Sequence, residues 1–193
     1  ISQIFKTFFT SNEKVHKQFL DNTAKSIKLL LRYCNERNLT LSYLCREKKK
    51  YNAEEINFIK SLDQNSKINI LKNDEDKVWK EIYSSKIITT IDSTVGFDSI
   101  SLKKKVFLMM MNLADCRKYQ ANSFFGDIKK IWQWTITNND YFEFQKLLDD
   151  LIKISQLDYE IKTKDMRDYW FNNNSSNPSF LQIKNFLSQK INE

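Results

Sequence analysis

Backbone punctuation is nearly missing from this chain. Among 193 residues, Gly96, Gly126 and Pro178 are the only glycines and proline, where average usage puts roughly a tenth or more of a chain in these two types. Two-residue hairpins need a residue at positive φ, which glycine or asparagine supplies. Sandwiches and barrels made of many hairpins are therefore disfavoured. So is any phosphate site that needs a glycine loop to bring backbone close to its ligand. Connections between helices have a weaker need of this kind. With 41% apolar and 13% aromatic residues, the chain holds enough side-chain volume for a real core. This combination predicts an all-α protein, either a multi-helix bundle or a short irregular α-solenoid of about seven to nine helices. It forms a single helical domain over residues 1–193.

Hydrophobic spacing supplies the helices. Ile1, Ile4, Phe5, Phe8 and Phe9 recur at helical intervals, and Ser11 can cap a longer helix running from Asn12 to about Arg37. On that helix Val15, Phe19, Leu20, Thr23, Ile27, Leu30, Leu31 and Cys34 share one side. Lys14, Lys17, Lys25, Lys28 and Arg32 fall within about 80° of one another on the other side, with only Asp21 interrupting them. At the helical rise they form a basic stripe roughly 27 Å long. Further helices are expected near residues 41–50 and 53–63, after Asp74, and at about 124–136, 140–155 and 163–171; Pro178 starts a last one. "SKINILKN" fits helix or strand. "DSTVGFDS", residues 92–99, is the clearest loop and the candidate for a subdomain hinge. Trp132, Trp134 and Ile136 alternate as in a strand, leaving room for one short β element near 132–136.

The segment "SLKKKVFLMMMNLADCRKY", residues 101–119, sets three lysines against an apolar block. Val106 to Met111 is far shorter than the roughly 20 residues of a spanning helix. Counted as a helix, the segment is apolar on both sides in its middle and charged at its ends, which predicts the central helix of a bundle.

Catalytic candidates are few. His16 is the only histidine and faces the apolar side of its helix; Cys116 stands beside Arg117 and Lys118 without an activating base in view. Cys34, Cys45 and Cys116 match neither a disulfide framework nor a paired zinc spacing. The acidic groups Glu54-Glu55, Asp74-Glu75-Asp76 and Asp149-Asp150 read as solvated faces and helix-start charges, since adjacent helical residues diverge by about 100°. No catalytic residue, metal site or cofactor is expected, and the chain reads as a non-enzymatic protein.

Charge gives the binding expectation. Residues 1–50 hold 11 Lys and Arg against 4 acids, and residues 51–193 balance at 20 against 20, so one end carries the positive field. The expected function is an interaction or scaffold module that binds a protein partner, acidic in character, through the basic helix face and an aromatic patch. The candidate contacts are Lys14, Lys17, Lys25, Lys28 and Arg32, extended by Lys48, Lys49 and Lys50, with Lys130 and an outward Trp134 as the aromatic anchor. The alternative is a nucleic-acid-binding domain that uses the same stripe without reading bases. A membrane-surface role for residues 11–37 is disfavoured because the core needs their apolar face. The free thiols point to an intracellular setting, cytoplasmic or nuclear. The start at Ile1 suggests a fragment or a processed form.

Overall fold

The computed structural model describes residues 13–45, 52–62, 68–71, 75–91, 94–111 and 132–171. Among them, helices and strands alternate: α1 (Glu13–Glu36), β1 (Leu41–Leu44), α2 (Asn52–Leu62), β2 (Ile68–Leu71), α3 (Glu75–Ser84), β3 (Ile88–Thr90), α4 (Thr94–Ser101), β4 (Val106–Met109), β5 (Thr135–Ile136), α5 (Tyr141–Lys153) and α6 (Gln156–Phe171). The protein is therefore mixed α/β, with six described helices and two small parallel sheets, and the all-α bundle or solenoid is overturned. The physical reason lies in the connections. Every described pairing is parallel: β1 with β2, and β4 between β3 and β5. Parallel strands are joined by crossovers, usually helical, rather than by tight turns, so scarce glycine weighs against hairpins but leaves these sheets open.

The helix expected around the methionines is instead β4. Val106, Phe107, Leu108 and Met109 are all fully buried, and Met110 and Met111 nearly so. A strand covered on both faces shows a continuous apolar run, which periodicity does not distinguish from a buried helix. Register follows from Ile88 opposite Val106 and Leu108 opposite Thr135. The Leu108 amide donates to Trp134 O at 3.0 Å and the Met110 amide to Ile136 O at 2.8 Å. Two further expectations are corrected in the same way. Residues 41–44 form a strand rather than a helix, and residues 94–101 form a helix rather than a loop.

Helix ends show why the segments stop where they do. Asn38, at φ 52°, closes α1: the Leu39 amide reaches Cys34 O at 2.8 Å and the Asn38 amide reaches Asn35 O at 3.3 Å. This is the paired bonding of a Schellman end with a left-handed residue. Lys103, at φ 61°, closes α4 in the same manner, with Lys104 N to Ser99 O at 3.0 Å and Lys103 N to Ile100 O at 3.0 Å. At the start of α5, the Asp140 carboxylate accepts from the amides of Phe142 and Glu143.

The main core gathers Leu29, Leu30 and Tyr33 of α1, the β4 residues, Trp132, Trp134, Phe144 and Tyr159. Phe144 stands edge-on to both Phe107 and Tyr33, with centroids 5.3 and 5.9 Å away. A smaller cluster of Ile27, Leu31 and Ile59 ties α1 to α2. Both clusters thus lean on α1, and its outer face is the surface left over.

Candidate functional site

Helix α1 presents its cations as the 100° count requires: Lys25, Lys28 and Arg32 are exposed while Ile27, Leu30, Leu31 and Cys34 are buried. Next to them lies an open cleft of about 310 Å³ lined by Lys28, Leu31, Arg32, Asn35, Glu36 and Leu62. Its walls come from the last turns of α1 and of α2, held together by the Ile27, Leu31 and Ile59 cluster. Its volume is at the lower end of the range for small-ligand sites, roughly 300–1,000 Å³.

Arg32 is fixed there by two contacts. Its Nε donates to Glu36 Oε1 at 2.8 Å, and its guanidinium carbon lies 3.7 Å from the Tyr141 ring centroid. Tyr141 in turn donates its hydroxyl to the other Glu36 oxygen. Hydrogen bonds from Tyr141 and then Arg32 hold the Glu36 carboxyl below its ordinary range. The bond to Glu36 raises Arg32 further, and burial, followed by the Glu36 bond, pushes the Tyr141 phenol up to about 12. Only Nε of the five guanidinium N–H donors is engaged among the described residues. The terminal nitrogens are left at the cleft as a planar, oriented donor set.

One turn later a parallel arrangement secures α1 to α5. Tyr33 donates to Asp149 Oδ1 at 2.5 Å and Arg37 pairs with Asp149 Oδ2 at 2.6 Å. Burial first, and then the Asp149 bond, raise the Tyr33 phenol. Arg37 is accordingly a structural cation, whereas Lys25 and Lys28 have no acidic partner among the described residues.

The other expected contacts divide into two groups. Lys14 and Lys17 lie on α1, but their side chains fall outside the described residues, as do Lys48, Lys49, Lys50 and Lys130 entirely. Trp134 is no outward anchor: it is 1% exposed, stands 5.2 Å from the Tyr159 ring and donates Nε1 to Asp150 Oδ2 at 2.9 Å. Its place is the turn before β5, where neighbouring Trp132 donates to Val106 O at 2.9 Å. Sequence reasoning missed Asn35, Glu36, Leu62 and Tyr141. The four-residue spacing of Arg32 and Glu36 signals their pair; the approach of Tyr141, 105 residues beyond Glu36, has no local signal.

At the carboxyl end of β1, the Tyr43 hydroxyl donates to buried Glu55 at 2.8 Å, and Cys45 lies close enough to feel that carboxylate. Burial, then Glu55, pushes the Cys45 thiol up to about 11, away from nucleophilic use at neutral pH. Among the described residues, no group of His, Cys, Asp and Glu could hold a metal ion.

Comparison with protein-family models matches residues 1–191 to the family described as "putative O-antigen biosynthesis protein". The chain belongs to this family. No curated protein and no solved structure matched in the corresponding searches.

Proposed function

We propose that this chain takes part in O-antigen biosynthesis by holding an anionic, phosphate-bearing sugar intermediate at the cleft between α1 and α2. The family description supplies the carbohydrate context, and the cations of the cleft supply the preference for a phosphate-bearing ligand. The observation that carries the proposal is Arg32, which lines the cleft, is held by Glu36 and Tyr141 with its terminal nitrogens unengaged among the described residues, and has Lys28 in the same lining. An oriented guanidinium suits a phosphate because its donors match two oxygens at once. Lys25 and Lys28, which have no ion-pair partner among the described residues, add field strength, with Glu36 of the lining and Asp21 on the same helix as the nearby acids. No catalytic group is assigned to the cleft.

Isothermal titration with inorganic pyrophosphate and with a nucleoside diphosphate sugar tests the proposal. Saturable binding is expected, weakened about tenfold by Lys28→Gln and unchanged by Lys164→Gln on α6. Failure of both ligands to bind at millimolar concentration would refute it.

A second reading keeps the basic face for an acidic protein partner. Phe142, 80% exposed at the start of α5 and adjacent to the Tyr141 that carries Arg32, favours it. An exposed aromatic beside cations has the make-up of an interface hot spot, a role that buried Trp134 does not fill.

A further inference from the structure

A second charged surface lies away from the cleft, at the amino-terminal edge of β3 and β4. Three segments meet there, residues 79–86, 98–105 and 153–164, and hydrogen bonds fix their arrangement. Lys104 Nζ donates to Tyr83 O at 2.9 Å, Gln156 Nε2 donates to Lys103 O at 2.8 Å, and the Tyr159 hydroxyl donates to Lys104 O at 2.5 Å. Lys105 is buried and donates to Ile154 O, at the carboxyl end of α5. Lys103 pairs with Glu160 at 3.3 Å.

The composition of this edge is unusual in two respects. With Lys105 buried, the three segments present seven lysines, Lys80, Lys86, Lys103, Lys104, Lys153, Lys162 and Lys164, against four acids, Glu81, Asp98, Asp158 and Glu160, with Lys164 also paired to Asp168 just beyond them, although residues 51–193 as a whole are balanced. They also carry Trp79, Tyr83, Leu102, Leu157 and Ile161, five of the seven large hydrophobic side chains exposed among the described residues. Tyr83, Leu157 and Ile161 are 60%, 68% and 64% exposed. Leu157 and Ile161 are four residues apart and therefore share one face of α6.

We propose that this edge docks on the surface of an anionic membrane. Lysines suit anionic headgroups, and their long stems let them reach the headgroups while neighbouring apolar groups enter the boundary. Trp and Tyr favour that same boundary. No described helix is long and apolar enough to cross a membrane, so the contact is interfacial. It is independent of α1, whose apolar face is occupied by the core.

Co-sedimentation of the 193-residue chain with vesicles tests the proposal, using phosphatidylcholine alone and phosphatidylcholine mixed with phosphatidylglycerol. Binding is expected only to the mixed vesicles, decreasing as salt rises. Leu157→Ser combined with Ile161→Ser should abolish it, and Lys86→Gln should weaken partitioning about fivefold. Lys103→Gly provides a control for folding. It removes a lysine where glycine suits the left-handed backbone, so vesicle binding should fall while the fold is as stable as before or more so. Lys25→Gln with Lys28→Gln should leave vesicle binding intact, which separates this edge from the cleft. The proposal is overturned by equal binding to neutral vesicles or by retained binding in the Leu157 and Ile161 double variant. Absence of sedimentation with phosphatidylglycerol also overturns it and leaves the edge to a protein partner.

Discussion

Gly96 is where the packing of α4 on β3 can be tested with one methyl group. It lies in the first turn of α4, directly over Thr90 at the end of β3. A β-carbon added there would fall 2.4 Å from Thr90 Cγ2, 2.6 Å from its Cβ and 2.9 Å from its Oγ1. Thr90 is only 6% exposed, and its Cβ is tied to the strand, so a rotamer change alone does not relieve the clash. Overpacking of this kind costs about 1–3 kcal/mol, and a shift of α4 away from the sheet lies toward the upper end. Against it stands the helix preference of alanine over glycine, about 0.8–1 kcal/mol. Gly96→Ala should therefore destabilise the protein by about 1–2 kcal/mol, lowering Tm by roughly 2–8 °C for a chain of this size. Urea unfolding followed by circular dichroism measures this, and Thr90→Gly in the Gly96→Ala background should recover part of the loss as a favourable coupling. If Gly96→Ala alone stabilised the protein, the packing of α4 on β3 would be refuted and residues 92–99 would revert to the loop expected from sequence.

Tyr33→Phe should cost about 1–2 kcal/mol by leaving Asp149 with Arg37 alone, and a double-mutant cycle with Asp149→Asn should show coupling in urea unfolding. Lys103→Gly should stabilise by about 0.5–1 kcal/mol by relieving the left-handed backbone at φ 61°; the exposed Glu160 pair it removes is worth less than that. Glu36 and Glu160 have depressed carboxyl pKa values, caused first by Tyr141 and by Gln156 respectively. Their stabilisation is present above the unfolded value of about 4.3 and is lost as pH falls through the folded values, so acid titration of Glu36→Gln should show a shallower decline. Tyr141, raised from 10 to about 12, implies that stability falls as pH rises across that interval, which alkaline melts should show. In a Cys116→Ser variant, buried Cys34 and Cys45 should resist a thiol reagent at pH 8 until the protein unfolds.

The helices with one apolar side were legible in the sequence, and α1, α2 and α5 begin and end within a few residues of the expected positions. The strands were hidden because they are two to four residues long, too short for alternation to accumulate, and because β4 is apolar on both faces. Scarcity of glycine bears on hairpins and not on sheets in general, because the described parallel strands need no tight turn between them. At α4, the sequence around Gly96 has weak helix preference, and packing against Thr90 decides the outcome. For the site, helical spacing already located Lys25, Lys28 and Arg32 on one exposed face. What converts Arg32 from a solvated cation into an oriented donor is Tyr141, brought over by the packing of α5 on α1. Trp134 showed the reverse, since its direction depended on a helix that residues 132–136 do not form.

Backbone amide spectra recorded during a pyrophosphate titration test the central claim most directly, because they report where the anion binds as well as whether it does. Saturable shifts confined to the last turns of α1, around Lys28 to Glu36, and to the neighbourhood of Leu62 are the predicted result. The absence of saturable shifts, or shifts centred on Lys86 and Lys103 with α1 unmoved, would contradict it.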